Sequence, residues 1–310
     1  MLTIFKGTIL ENLKKIFRVF SLLFCTFLSA EIYDYNIQPS SQNRDSFMSI
    51  KILDTKELKF SSSDVKEISA LAYKNKTLYA LGDKGYLYSF GIKIKDNKIK
   101  KVSLKKVFKL KNSKSKRLKK DKRDSEGLCF MDENLLISFE KEPRIELFSK
   151  NGKKIKSKKI HKDLKDIRNY KGKNKALESV AYNKKYGLLT APESPLKSSN
   201  KKLHTLYGEN NKWNFPVSGK ITALEFMKKN EIMILQRYFN NLTRQRIITI
   251  SKLNLKNSKY KVLARLDSKK GWNIDNFEGL TKINEKRYLI VSDDNDSIFQ
   301  KTLLVLFEVD

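Results

Sequence analysis

Gly271-Trp272-Asn273-Ile274-Asp275-Asn276-Phe277-Glu278-Gly279-Leu280 is followed shortly by Arg287-Tyr288-Leu289-Ile290-Val291-Ser292-Asp293-Asp294-Asn295. The pair reads as two short apolar strands joined by a polar turn. A glutamate opens the first strand and aspartates end the second. An antiparallel hairpin sets those two ends side by side, so Glu278 and Asp293 are expected to be neighbours.

The pattern recurs. Ile68-Ser69-Ala70-Leu71-Ala72-Tyr73, Ser125-Glu126-Gly127-Leu128-Cys129-Phe130, Leu177-Glu178-Ser179-Val180-Ala181-Tyr182 and Ile221-Thr222-Ala223-Leu224-Glu225-Phe226 align with Phe277–Lys282. Each puts a small residue before an aliphatic one, and a second apolar run follows each: Leu78–Leu81, Leu135–Phe139, Leu188–Ala191, Ile232–Leu235 and Tyr288–Val291. Third strands are expected at Tyr86–Phe90, Ile145–Phe148, Leu203–Tyr207, Ile247–Ile250 and Leu303–Phe307, with Lys-rich fourth strands after the first four units. The units start 44 to 57 residues apart. Four-stranded antiparallel units at that spacing predict an all-β fold, a β-propeller. The repeat count gives five blades, and the same spacing would also suit six. The last unit ends after three strands, so an N-terminal strand at Phe47–Leu53 is expected to complete it and remove an exposed edge. A β-sandwich or an open array of hairpins is the competing architecture.

The chain has 310 residues, 40% of them hydrophobic, enough for a sizeable core. Its 65 Lys and Arg against 34 Asp and Glu give a net charge of +31, read as a solvated Lys-rich surface, with a functional patch for a polyanion or a membrane as the alternative. Lys14, Lys15 and Arg18 precede the apolar run Val19–Leu28, and Ser29-Ala30 supplies a small-residue end. Residues 1–30 thus read as a secretory signal peptide cut near Ala30, which makes the mature protein periplasmic or secreted. An uncleaved anchor is the rival, although the apolar run is short for a span of roughly 20 residues. Residues 31–45 read as a polar, irregular arm and residues 46–310 as the propeller domain. Cutting at Ala30 leaves Cys129 as the single cysteine, so no internal disulfide forms, and flanking Leu128 and Phe130 make it a small buried hydrophobe. The Lys-rich stretches Asn112–Arg123 and Lys153–Lys175 interrupt the pattern and are expected to be mobile, solvated loops, with a helical turn or two at Lys162–Tyr170.

The residue opening each inner strand pairs with a charged residue ending the second strand: Ser69 with Asp83, Glu126 with Glu140, Glu178 with Glu193, Thr222 with Arg237 and Glu278 with Asp293. These separations are all 14 or 15 residues. A hairpin of constant length puts both members at one end of every blade, around one mouth of the central channel. The expectation is a ring of seven carboxylates with one arginine: Asp83, Glu126, Glu140, Glu178, Glu193, Glu278, Asp293 and Arg237. Asp124 sits two residues before Glu126 and faces the same side, and Asp294 and Asp296 extend the last site. So many carboxylates cannot all ionise together without cations. Ca²⁺, with six to eight oxygen ligands in flexible geometry, suits the seven as metal ligands. The alternative is that they cap hairpins and pair with lysines and arginines between blades.

Other chemistries lack support. His161 in a Lys-rich loop and His204 in an alternating strand are the two histidines, read as an exposed loop residue and a strand residue. No Gly-x-Ser-x-Gly elbow, Cys-x-x-Cys, His-Glu-x-x-His or Walker A segment occurs. Tyr73, Tyr182, Phe226 and Phe239 read as blade packing, and nucleic acid is a poor partner for an exported protein.

Asp124-Ser125-Glu126-Gly127-Leu128, the strand reaching Ser138-Phe139-Glu140, Leu189–Glu193, Leu235-Gln236-Arg237-Tyr238-Phe239, Asn276-Phe277-Glu278-Gly279-Leu280, Ser292-Asp293-Asp294-Asn295 and Gln300-Lys301-Thr302 together resemble the phytase-like domain family, also called esterase-like activity of phytase. The resemblance covers roughly residues 60–310. Ser69, where three other blades carry Glu, and the Lys-rich insertions depart from it. It implies an exported β-propeller that hydrolyses a small phosphorylated or ester substrate with metal assistance. Glu126, Glu278 and Arg237 are the candidate catalytic residues, with Arg237 and a lysine neutralising phosphate oxygens. The alternative is a non-catalytic periplasmic propeller that binds an anionic envelope component or a protein. A monomer is expected in either case.

Overall fold

The computed structural model describes residues 30–40, 46–47, 49–60, 65–172, 175–297 and 299–310. The expected signal peptide lies outside them except for Ala30, which is buried and donates its N–H to the Val102 carbonyl at 3.1 Å. Among the described residues no helix is long and apolar enough to cross a membrane.

Five antiparallel sheets form the fold. Blade one is Ile68–Lys74, Thr77–Gly82, Tyr86–Lys95 and Lys98–Lys109. Blade two is Ser125–Met131, Asn134–Phe139, Arg144–Phe148 and Lys154–Lys158. Blade three is Leu177–Asn183, Gly187–Pro192, Leu203–Tyr207 and Lys212–Pro216. Blade four is Lys220–Lys228, Glu231–Phe239, Arg246–Asn254 and Tyr260–Asp267. Blade five takes Asn276–Lys282, Arg287–Asp293 and Leu303–Val309 from the C-terminus and Ile50–Lys59 from near the N-terminus. The first strand of each blade lies against the first strands of both neighbours, closing a five-membered ring.

Packing explains the composition of the strands. The buried apolar residues fall into five clusters, one between each pair of adjacent blades. A strand between two neighbours is buried on both faces, so the second strands lose alternation and become continuous runs. Leu135, Leu136, Ile137 and Phe139 are all 0% exposed. The outer strands meet water, and Lys154–Lys158 is exposed or half-buried throughout.

The closing strand differs in extent from the expected Phe47–Leu53. It is Ile50–Lys59, paired antiparallel with Leu303–Val309 from Val309↔Ile50 to Leu303↔Glu57. Its second half, Asp54-Thr55-Lys56-Glu57, lacks an apolar signal because partners hold its charges. Asp54 is buried and accepts the Ile99 N–H from blade one at 2.7 Å, and Glu57 pairs with Lys301. The arm read as irregular begins with a strand, Glu31–Asp34, which pairs with Lys56–Lys59 outside blade five. Beyond it Ile37 is buried between blades four and five and its carbonyl accepts the Asn273 N–H at 3.0 Å.

The Lys-rich insertions are anchored. Lys111 bridges to Arg117 and to Lys153. The second insertion supplies the outer strand of blade two and two 3₁₀ turns, Lys162–Leu164 and Ile167–Asn169. Leu164 and Tyr170 are buried between blades two and three, with the Tyr170 hydroxyl donating to the Leu164 carbonyl at 2.8 Å. His161, expected to be exposed, is buried beside Tyr207, and its Nδ1 accepts the Asp163 N–H at 3.2 Å. His204 is a buried strand residue whose Nε2 donates to the Gly219 carbonyl at 2.7 Å. Cys129 is buried as expected.

Candidate active site at the channel mouth

The inner hairpin of every blade carries one irregularity at the same place. Pairing slips by one residue between Ile68 and Ala70, Ser125 and Gly127, Leu177 and Ser179, Ile221 and Ala223, and Phe277 and Gly279. The unpaired residues are Ser69, Glu126, Glu178, Thr222 and Glu278, the five positions that align in the sequence. A bulge re-aims the side chain of the extra residue. The second strands end beside these bulges, at or just before Asp83, Glu140, Glu193 and Asp293, and in blade four the strand passes through Arg237 and runs on to Phe239.

Where the bulge lacks a carboxylate, it staples blades. Ser69 Oγ donates to the Ser125 carbonyl of blade two at 3.1 Å, and Thr222 Oγ1 to the Phe277 carbonyl of blade five at 3.3 Å. Where it carries glutamate, the carboxylates meet. Burial pushes the Glu126 carboxyl well above the usual range, helped by Asp83, Glu178, Glu278 and Glu140. Burial, then Glu278 and Glu67, raise Asp83 to about 8. Burial, then Glu278 and Asp83, raise Asp293 to about 9. Glu140 rises to about 7 through burial, then Asp124 and Glu193. Glu178 is raised well above the usual range by burial, then Glu193, Glu140 and Glu278. Residues of non-adjacent blades feel one another, so the seven carboxylates share one mouth.

Arg237 enters the same mouth. Its Nη1 lies 2.9 Å from Glu278 Oε1 and also donates to Asn276 Oδ1. Asn276 Nδ2 donates to Glu278 Oε1 at 2.8 Å. Burial still leaves the Glu278 carboxyl raised, with Arg237 and Asn276 opposing it. Against its own burial, Glu278, Glu178, Glu193 and Asp293 hold the guanidinium charged. Lysines sit at the rim: Lys141 pairs with Asp124 at 2.9 Å, Lys220 with Glu193 and Lys84 with Glu67.

Asp124, Glu126 and Glu140 each bring an oxygen within 4.8 Å of the others. Asp83 Oδ1 and Glu193 Oε2 are buried without a hydrogen-bond partner. Asp294 stands at the edge of this cluster, where its charge adds to the rise of Asp293, and Asp296 is exposed. Asp294 receives the Thr302 hydroxyl at 2.9 Å and the Glu67 and Asp296 N–H groups, while Asp296 pairs with Lys66 at 2.7 Å. Both organise the loop after the second strand.

Sequence reasoning missed Glu67, Asn276, Asp275 and Arg246. Glu67 and Asp275 precede regular strands and break no pattern, and Arg246 is one of many basic residues. Phe239, read as blade packing, is 39% exposed instead. It lies at the end of its strand, where the blade faces water, and lines a cavity with Arg237, Tyr238, Arg246 and Asn276. Tyr73, Tyr182 and Phe226 do pack between blades.

No curated protein matches the chain. Among solved structures, a chain of "Crystal Structure of Mitotic Checkpoint Complex" is 10% identical over 82% of this chain and 68% of that one, with a TM-score of 0.39. "Structure of U3-55K" is 9% identical over 81% of this chain and 63% of that one, with a TM-score of 0.41. The computationally designed Ika4 protein is 12% identical over 64% of this chain and 90% of that one, with a TM-score of 0.29. At those scores none informs the site. The family model described as "Phytase-like: Esterase-like activity of phytase" matches residues 63–296, from before the first inner hairpin to beyond the last. With that span and a closed five-bladed ring, the chain belongs to the phytase-like family.

Proposed function

We propose that this protein is an exported phosphoester (or ester) hydrolase whose reaction takes place at the acidic mouth with the help of a divalent cation, Ca²⁺ in the first instance. One observation carries the reading: a strongly basic chain gathers seven carboxylates and one arginine at the bulged ends of its inner hairpins. Purely structural ion pairing leaves it unexplained, because Asp83 Oδ1 and Glu193 Oε2 have no partner and several carboxyls are pushed toward neutrality.

The donor set fits a hard cation. Asp124, Glu126 and Glu140 are the first candidates to hold it, with Asp83, Glu178, Glu193, Glu278 and Asp293 completing an all-oxygen environment. When bound, the cation would offset the crowded negative charge and polarise a phosphoryl oxygen. Arg237 presents a guanidinium to the substrate's anionic group and is held in place by Glu278 and Asn276. In the metal-free protein burial and crowding keep protons on Glu126 and Glu140, and holding the cation would release them. Lys141 and Lys220 add positive charge at the rim.

The test is phosphate release from a generic monoester by the full chain, with Ca²⁺ and with EGTA, for the native protein and Glu278→Gln. Calcium-dependent release that the substitution removes supports the reading. Calcium-dependent stabilisation without turnover on any ester or phosphoester points to a binding propeller.

A further inference from the structure

Beside the mouth, between blades four and five, is a cavity of about 120 Å³. Its walls include Tyr238, Phe239, Ile248 and the guanidiniums of Arg237 and Arg246, with Asn276 among its polar groups. A cavity of ~150 Å³ holds a benzene molecule, so this one has the size of a single ring. Phe239 is already a stacking platform: the guanidinium carbons of Arg244 and Arg246 lie 5.1 and 5.3 Å from its ring centre.

Tyr238, Phe239 and Ile248 give the cavity an apolar wall, and Asp275, Asn295 and Gln300 stand with the two arginines and Asn276 on its polar side. Of the exposed large hydrophobic residues among those described, Tyr238 and Phe239 end the second strand of blade four and line this cavity, while Leu242 lies on the loop that follows and Phe299 on the loop before Leu303–Val309, neither of them in the lining. Exposed apolar groups gathered at one pocket mark a ligand surface. Arg237 and Asn276 belong to both places, since they line the cavity and also bind Glu278 in the mouth. Arg237 Nε is buried and has no hydrogen-bond partner.

Resting on the reading of the mouth as a phosphoester site, we infer that the cavity holds the leaving group of the substrate. That group is a single planar aromatic ring, so the substrate class is an aryl or heteroaryl phosphate monoester. Its phosphate meets Arg237 at the boundary and its ring lies against the apolar wall of Tyr238, Phe239 and Ile248. Arg237 is the one arginine among seven carboxylates, so the mouth suits one anionic group attached to an apolar ring and disfavours a polyphosphorylated polyol.

The test is calorimetric binding to the full chain in calcium buffer, with phenyl phosphate, glycerol 2-phosphate and inositol hexakisphosphate as probes. Phenyl phosphate should bind at least about tenfold more tightly than glycerol 2-phosphate, as expected for a filled apolar pocket. Phe239→Ala and Phe239→Leu should each shrink that ratio, the alanine more. Equal affinities in the native protein, equal losses in the variants, or a preference for inositol hexakisphosphate would overturn the ring pocket and leave the phosphoester reading standing. Absence of binding by all three would remove both. The native comparison needs no variant, so a substitution that prevents folding leaves the test intact.

Discussion

Arg237 Nη1 lies 2.9 Å from Glu278 Oε1, tying the second strand of blade four to the bulge of blade five. It is the guanidinium that faces the carboxylates of the mouth, and Glu278, Glu178, Glu193 and Asp293 all hold it charged. Removing one partner of a largely buried pair leaves the other charge uncompensated, at a cost of up to about 3 kcal/mol. Arg237→Met should therefore destabilise the metal-free protein by about that amount in urea denaturation. Adding Glu278→Gln in the same chain should restore part of the loss. A single variant as stable as the native protein would mean that the pair is not coupled in solution.

The raised carboxyls set a pH dependence of definite sign. Asp83 at about 8, Glu140 at about 7 and Asp293 at about 9 stand above their ordinary values of 3.8, 4.5 and 3.8. Between those limits the folded chain binds more protons than the unfolded chain, so stability falls as pH rises. The contribution is full below about pH 4 and gone above about pH 9. Scanned in EGTA, the melting temperature should drop from pH 5 to pH 9. A flat or rising profile would argue that these carboxyls are not crowded together.

Calcium should compensate for the lost protons. A cation that binds only the folded chain at a hundred times its Kd stabilises it by about 2.7 kcal/mol. The rise in melting temperature on adding Ca²⁺ should be larger at pH 8 than at pH 5, where protons compete for the same oxygens. Glu126→Gln and Glu140→Gln should each remove most of that rise, since both residues belong to the cluster with oxygens within 4.8 Å. An undiminished rise in both variants would place the calcium elsewhere.

Much of this was legible in the residues, for a physical reason. A blade is a local unit, so its hairpins recur at short range in the chain, and constant hairpin length carries Glu278 and Asp293 into register with their counterparts. The five blades and the shared mouth follow from that, and the burial of Cys129 was readable from its apolar neighbours Leu128 and Phe130. Long-range features were harder to read. The closing strand runs on through Asp54-Thr55-Lys56-Glu57, whose charges are held by Ile99 and Lys301 from distant parts of the chain. His161 sits in a Lys-rich stretch and is buried, with Tyr207 of blade three packed beside it. The bulges at Ser69, Glu126, Glu178, Thr222 and Glu278 leave no sign in composition, because an unpaired residue looks like any other in the chain. The cavity beside Arg237 is built from two blades that no local pattern connects.

The glycine after two of the bulges answers a different demand from the glutamate before it. A Cβ on Gly127 would lie 2.4 Å from Ser138 Oγ, 2.9 Å from Val180 N and 3.0 Å from Ser179 C. On Gly279 it would meet Val291 Cγ1 at 2.7 Å, with Ala70 C and Leu71 Cγ at 3.1 Å. In each case part of the obstacle is the inner strand of the next blade, which cannot retreat without opening the ring. Ala70, Ser179 and Ala223 hold the same place in the other blades, so the position is small throughout. Glutamate thus serves the mouth, and the small residue beside it lets the inner strands close. Gly127→Ala and Gly279→Ala should each cost about 1–3 kcal/mol by overpacking, read by urea denaturation in EGTA so that metal binding does not intervene. Gly172→Ala is the control, since the atoms nearest its added Cβ belong to the flexible Lys175 side chain at 3.7 Å and beyond. It should change stability by less than about 0.5 kcal/mol. If the two motif variants match that control, close approach between inner strands is not what requires glycine, and the Glu-Gly-Leu motif would have to be explained by the mouth alone.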